Sequence, residues 1–302
     1  DKAYIAELGT LGVQRVSLGV QTFAPHVQKA VNRVQPYEMV AQSCADFRAV
    51  GVQSINFDLI YGLPHQSSTD IADTIKLALR LQPESFAVFG YAHMPTMIAR
   101  QRAIVTDALP ALEERFAHSA LAHQLLVEAG YCAIGFDHFS KPDDRLARAM
   151  AQGRLRRNFQ VFTDDPADVL IGLGASAISH YGDMILQNEK MSGRYAQQIA
   201  NGQLAAVRGV RRSADDMSRA AVIEQLLCHG FVDLEKCTAS KRAEEIYAAE
   251  LEDLAPYVAR GLLSRKGTCL QLSESGLAYA RVIASAFDIY RHHQSARFSK
   301  AV

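Results

Sequence analysis

Asn56-Phe57-Asp58-Leu59-Ile60-Tyr61-Gly62-Leu63-Pro64 reads as a buried strand that ends in a glycine turn, with one carboxylate inside an otherwise apolar run. A charge in such surroundings is costly unless something pairs with it. An aspartate at the C-terminal end of a parallel strand is also where α/β proteins place ligand-binding chemistry. The stretch therefore predicts both a sheet and a site.

The flanking segments extend the pattern. Arg15 to Gly19 is a predicted strand, and a helix follows from about Pro36, with Val40, Cys44 and Phe47 on one face and Gly51 as its stop. Ser54 to Leu59 is the second strand. Ser68 or Thr69 caps a helix that carries Ile71, Ile75 and Ala78 and ends at Pro83. Ser85 to Phe89 is the third strand. Helices between buried strands imply parallel pairing. Three such units fit part of a barrel or of a doubly wound sheet.

Beyond them, the spacing predicts an amphipathic helix from about Pro110 to Gly130, with Leu112, Phe116 and Ala120 in register. An extended stretch from Tyr131 to Phe139 follows, then the polar turn Lys141-Pro142-Asp143-Asp144. Leu170 to Ser179 is small and glycine-rich, suited to close approach of backbone to a ligand. From about residue 206 the character changes. Ser213 with Asp216 opens a helix through Cys228, and a second helix spans about Ser240 to Leu254. A short strand at Cys269 to Leu272 and a last helix from about Ser275 complete an order like that of a winged-helix module. The expected division is 1–105 for the strand-helix repeats, 106–205 for covering segments and 206–302 for the helical domain.

Composition narrows the function. The 302 residues carry 32 Lys+Arg and 32 Asp+Glu, a balance that argues against a long polyanion as main partner, so nucleic acid is not expected. No apolar run approaches a membrane span, and no signal peptide is visible, so the chain is expected to be cytoplasmic. Five cysteines are scattered without metal-ligand spacing, which suits buried thiols in a reducing compartment, and no metal-binding residue is expected in this chain. Walker A, GxGxxG, GxSxG and HExxH patterns are absent.

Gln21 and Arg33 follow the first strand, Asp58 ends the second, and Tyr91-Ala92-His93 follow the third. At a common mouth, a carboxylate suits a ribose hydroxyl pair and a glutamine reads a polar small molecule. The plainer alternative pairs Asp58 with Arg33 and uses Gln21 as a helix cap. Asp137-His138 lacks a third ligand for a metal and reads more simply as a core histidine. Arg156-Arg157-Asn158-Phe159-Gln160 suits a carboxylate or phosphate, or equally a solvated basic turn. Arg208, Arg211 and Arg212 form a further basic cluster of surface type.

Taken together, Ser17-Leu18-Gly19-Val20-Gln21 and Asp58-Leu59-Ile60-Tyr61-Gly62-Leu63-Pro64 resemble the radical S-adenosylmethionine superfamily. Tyr91-Ala92-His93 with Pro95-Thr96, Asp137-His138-Phe139 with Lys141-Pro142-Asp143-Asp144, Arg157-Asn158-Phe159-Gln160 and Leu173 to Ser179 resemble its oxygen-independent coproporphyrinogen III oxidases. The resemblance covers essentially the whole chain. It implies an α/β fold: the C-terminal part of a partial (β/α)6 barrel, then a mostly helical, winged-helix-like domain. It implies S-adenosyl-L-methionine contacts at Gln21, Arg33, Asp58, Ala92 and Ile178, with Phe159 and Gln160 near the cofactors. Arg33, Arg100, Lys141 and Arg157 are candidate cations for the propionates of coproporphyrinogen III.

The implied reaction begins when a 4Fe-4S cluster passes an electron, from an unidentified donor, to S-adenosyl-L-methionine. A 5′-deoxyadenosyl radical then takes hydrogen from a substrate propionate, which loses carbon dioxide and an electron and becomes a vinyl group; two propionates react. A haem-carrying relative is the alternative. Family members hold the cluster on a CxxxCxxC loop, and none occurs here. The chain is therefore expected to be a C-terminal piece of a longer protein, with the cluster ligands upstream of Asp1.

Overall fold

A computed structural model describes residues 2–158 and 162–291, which divide into two compact units, residues 2–154 and Leu155–Arg291.

The first unit is built on a sheet with strand order β1-β2-β3-β5-β4: β1 Arg15–Gln21, β2 Ser54–Tyr61, β3 Ser85–Gly90, β4 Cys132–Ile134 and β5 His138–Ser140. The three expected strands pair in parallel. The segment expected to be simply extended is instead a hairpin, β4 and β5, with β5 antiparallel to β3. Gly135, at φ 62°, makes the reversal between them possible.

Strand β2 alternates strictly. Ile55, Phe57, Leu59 and Tyr61 are buried, while Asn56, Asp58 and Ile60 on the other face are partly exposed. The buried set packs with Val40, Cys44 and Phe47 of a helix at Tyr37–Ala49, and with Ile71, Ile75 and Ala78 of one at Ser68–Arg80. Phe57, Phe86 and Tyr131 stack edge to face through the centre of this layer, at 6.0 and 5.1 Å. Charge is thereby confined to the opposite face, where Asp58 lies.

Two helix details depart from expectation. Ser67, rather than Ser68 or Thr69, caps the Ser68–Arg80 helix, because Ser67 and Asp70 have the spacing of a reciprocal capping box. The helix Leu112–Glu128 buries His118, Ala122 and Leu126, leaving Leu112 and Phe116 exposed. Both triplets have four-residue spacing. Packing on β2, β3 and the preceding helix selects the later one.

The N-terminal end of the sheet is closed by a polar plug. Glu84 accepts the Ile55 N–H at 2.8 Å and the Lys141 ammonium at 3.1 Å, and Lys141 also donates to the Gln82 carbonyl. Tyr131 donates to the Pro83 carbonyl at 2.7 Å, and burial pushes its phenol up to about 12. Lys141 is thus engaged before the start of β3, and the expectation that it meets a propionate is replaced by a structural role.

In the second unit, strands at Val169–Leu170, Ile178–Tyr181, Met184–Asn188 and Ala206–Arg211 form an antiparallel sheet. A helix at Ala214–His229, capped by Ser213 and Asp216, ends on Gly230 at φ 63°. Three short antiparallel strands, Phe231–Asp233, Leu263–Lys266 and Cys269–Leu272, accompany it in the manner of a wing. The helix expected over 240–254 is broken into Ala243–Ile246 and Ala248–Asp253. Tyr247 at the break is fully buried, bonded to the Ser218 hydroxyl at 2.8 Å, and stacked on Phe287. From Ser275 the chain forms a 3-10 turn before the α-helix Ala280–Ala284.

Candidate functional site

The site of the first unit lies where β1, β2 and β3 end. Opposite Asp58, strand β1 bulges: Leu18 pairs with Phe57 and Gln21 with Leu59, so Gly19 and Val20 share the space beside one residue. Beyond the bulge Gln21 takes φ 66°, a left-handed conformation that is uncommon for a side-chain-bearing residue. Its Oε1 is buried without a hydrogen-bond partner. A Cβ on Gly19 would stand 2.7 Å from Gln21 Nε2 and 3.0 Å from Arg33 Nη2, so these two side chains use the room that glycine leaves.

Arg33 donates through Nη2 to the Gly19 carbonyl at 2.9 Å and through Nε to Gln35 Oε1. The loop that carries it is held by Gln28, which donates to the Thr22 and Gln35 carbonyls at 2.8 Å and accepts the Gln35 N–H. Asp58 accepts from Asn56 Nδ2 at 2.7 Å and is hydrogen-bonded to Ser17. Neither plain alternative is realised: Arg33 is spent on Gly19 and Gln35, and the residue preceding the next helix is Ala24, not Gln21.

Burial raises the Asp58 carboxyl above its ordinary value; hydrogen bonds from Ser17 and Asn56 and the charge of His138 act the other way. His138 lies on the same face, and its Nδ1 is 2.6 Å from Asp137 Oδ1. An ionised carboxylate only accepts, so Nδ1–H donates in this bond. Ser85 donates to Asn56 Oδ1 at 2.9 Å, and Asn56 Nδ2 reaches Ser17 Oγ at 2.9 Å, completing a polar row beneath the carboxylate.

After β3, Tyr91 donates its N–H to the Tyr61 carbonyl, and Ala92 follows in a turn bound by side chains from later in the chain. Gln101 donates to the Ala92 carbonyl at 2.9 Å, and Arg115 to the Tyr91 carbonyl at 2.8 Å. Neither was predicted, nor was Gln28. Each is a long polar residue bonding to backbone, Gln28 and Gln101 within nine residues of themselves and Arg115 across 24, with no motif to mark it.

Gln21 ends β1, Ala92 lies two residues past β3, and Arg33 reaches the Gly19 carbonyl from a later loop; Asp58, expected to end β2, lies three residues before that end, opposite the β1 bulge. Ile178 begins a strand in the second unit, where its backbone passes so close to Gly172 that a Cβ there would meet the Ile178 carbonyl oxygen at 2.6 Å. Phe159 and Gln160 lie outside the described residues.

A half-buried acceptor-rich wall suits a nucleoside: hydroxyl pairs donate to carboxylates, and the unfilled Gln21 Oε1 accepts a further proton donor. The residues fit that half of S-adenosyl-L-methionine. They do not fit an iron-sulfur cluster. Cys44, Cys132, Cys228, Cys237 and Cys269 are separate free thiols, and among the described residues no three His, Cys, Asp or Glu gather to hold a metal. Among those residues no helix is long and apolar enough to cross a membrane.

The radical SAM superfamily model matches residues 1–78. The oxygen-independent coproporphyrinogen III oxidase of Bradyrhizobium diazoefficiens is 41% identical over 96% of this chain and 65% of its own length. That of Cereibacter sphaeroides is 38% identical over 100% of this chain and 67% of its own. The solved coproporphyrinogen III oxidase of Escherichia coli, described as a radical SAM enzyme, superposes with a TM-score of 0.87 at 36% identity, covering 96% of this chain and 67% of that one. The chain thus spans about two thirds of the length of these relatives. With such identity carried through both units, the chain belongs to the oxygen-independent coproporphyrinogen III oxidase family of the radical SAM superfamily.

Proposed function

We propose that the protein carrying this chain performs the oxidative decarboxylation of two propionates of coproporphyrinogen III to vinyl groups, yielding protoporphyrinogen IX in anaerobic haem biosynthesis. Each propionate gives up carbon dioxide, a proton and two electrons. The observation that carries the reading is the extent of the likeness. The superfamily model stops at residue 78, whereas the match to the oxidases continues through 96% of the chain. The relatives named above are all oxidases, which favours oxidation over haem carriage.

When bound, S-adenosyl-L-methionine supplies the hydrogen-abstracting equivalent. On this reading Asp58 accepts from the ribose hydroxyls, Gln21 accepts a further donor through its unfilled Oε1, and Arg33 braces the β1 bulge that shapes both. Ala92 and Ile178, the latter beside its glycine, contribute backbone, and Phe159 and Gln160 complete the family's cofactor contacts. These residues orient the ligand and exclude water; the cluster and its electron donor lie outside the chemistry assigned to this chain. The chain carries no candidate membrane span among its described residues, in keeping with a cytoplasmic enzyme.

The test is an anaerobic assay of the intact protein with coproporphyrinogen III, S-adenosyl-L-methionine and a reductant, followed by chromatography of the oxidised porphyrins. Protoporphyrin is expected. Stoichiometric haem binding with coproporphyrin unchanged would replace this reading with the haem-carrier alternative.

A further inference from the structure

Ala92 bears only a methyl group, so anything beyond packing that it offers a ligand comes from its backbone. The turn in which it lies is unusually well held. Tyr91 N–H is used by the Tyr61 carbonyl, and the Met94 carbonyl is used by Met97 and Ile98. Gln101 spends both ends of its amide on the turn, donating to the Ala92 carbonyl at 2.9 Å and accepting the Met94 N–H at 2.5 Å. The His93 ring is fixed as well, 3.4 Å from the Tyr91 hydroxyl and 3.2 Å from Thr106 Oγ1. In the structure, the turn's Ala92 and His93 N–H groups carry no hydrogen bond among the described residues. Two adjacent unfilled donors at a strand's C-terminal end form a place for an acceptor atom.

Arg115 secures the same turn from below. Its Nη2 donates to the Tyr91 carbonyl, its stem fills the space over the turn glycine Gly62, and Nη2 lies beside Gly90 at the end of β3. A Cβ on Gly62 would stand 2.9 Å from Arg115 Nε, and one on Gly90 3.3 Å from Nη2. Nε itself is buried without a partner, so the guanidinium is held here at the expense of one of its own donors. A fully satisfied arginine would be unremarkable; this one ties the ends of β2 and β3 together at a cost.

We propose that Gln101 and Arg115 are positioning residues for the cofactor: they fix the Tyr91–Met94 turn so that the Ala92 and His93 N–H groups donate to an acceptor atom of bound S-adenosyl-L-methionine. This rests on the cofactor reading above. Gln101→Glu separates positioning from packing, because the carboxylate keeps the size and the acceptor for Met94 but has no proton for the Ala92 carbonyl. In the intact protein, the KM and Kd for S-adenosyl-L-methionine rise about tenfold in Gln101→Glu, kcat holds, and the urea midpoint stays at the wild-type value. With S-adenosyl-L-methionine present below saturation, amide exchange at Ala92 and His93 is slowed in the wild type and less so in the variant. Arg115→Gln weakens binding likewise, and Arg115→Lys, which retains one donor for Tyr91, restores most of it. Wild-type affinity in Gln101→Glu, or losses that only follow the urea midpoint, would overturn the proposal while leaving the cofactor reading intact. Failure of the wild type to bind S-adenosyl-L-methionine would overturn the cofactor reading first, and the proposal with it.

Discussion

Asp58 and His138 stand in one row of the sheet, on β2 and β5, with Ala87 of β3 between them. Asp137 holds the imidazole at 2.6 Å, and both side chains are nearly enclosed, at 6% and 10% exposure. The row places a histidine charge where it favours ionised Asp58, against the larger effect of burial, which raises that carboxyl. An acid whose folded value lies above its unfolded value binds more protons when folded, so stability falls as pH rises from the unfolded value through the folded one. Asp58 therefore works against the fold at neutral pH. Asp58→Asn is expected to raise the urea midpoint at pH 7 and to lose that advantage below pH 4. Chemical denaturation at the two pH values checks it, and an equal or lower midpoint at pH 7 refutes it.

The plug at the opposite end of the sheet governs stability without touching the site. Removing the Glu84 carboxylate in Glu84→Ala leaves the Ile55 N–H without its acceptor and takes one of two partners from Lys141, and costs about 1–3 kcal/mol. Tyr131→Phe removes one bond to the Pro83 carbonyl and costs about 1 kcal/mol. Urea unfolding measures both. Cofactor affinity of the folded variants is expected to match wild type, since cofactor chemistry sits at the strands' other ends.

The thiols divide by burial. Desolvation pushes Cys228 up to about 12 and raises Cys44, so at pH 8 both are almost wholly protonated and shielded. Native protein is expected to leave these two unreacted with a disulfide reagent over minutes and to release them in denaturant. Rapid reaction of either in the native state would contradict the packing around them.

In the second unit, Arg219 bonds Glu250 at 2.6 Å with both side chains 12% exposed, bonds the half-exposed Asp215 at 2.7 Å, and lies over the Tyr247 ring. Breaking an enclosed pair strands a charge. Arg219→Met is expected to cost about 3–5 kcal/mol, and Asp215→Asn, at the solvent-facing partner, under about 1 kcal/mol. A denaturant series on the two variants distinguishes them, and equal losses would deny the difference in burial its role.

Much of the architecture was legible because it is written in local pattern. The apolar run with one carboxylate marked β2, which extends past the expected Leu59 to Tyr61, the glycine at 62 marked the turn, and Ser213 with Asp216 marked a helix start. Where two registers share a spacing, pattern is silent: it favours Leu112 and Phe116, whereas the fold buries His118 and Ala122. Lys141 shows the same limit for charge: its partner Glu84 lies 57 residues away, across the sheet's lower end. In the site, Asp58 announced itself as a carboxylate among apolar neighbours. Gln28, Gln101 and Arg115 could not, since each bonds to backbone, which carries no side-chain signature, and the Arg115 partner lies 24 residues away.

The most direct test of the site is calorimetric titration of S-adenosyl-L-methionine into the intact protein and its Asp58→Asn variant under anaerobic conditions. The expected result is stoichiometric binding by the wild type and a loss of about 10–100-fold in the variant, the worth of hydrogen bonds to a charged acceptor. Equal affinity in a variant that folds as well as wild type would remove Asp58 from the cofactor site and contradict the account built on it.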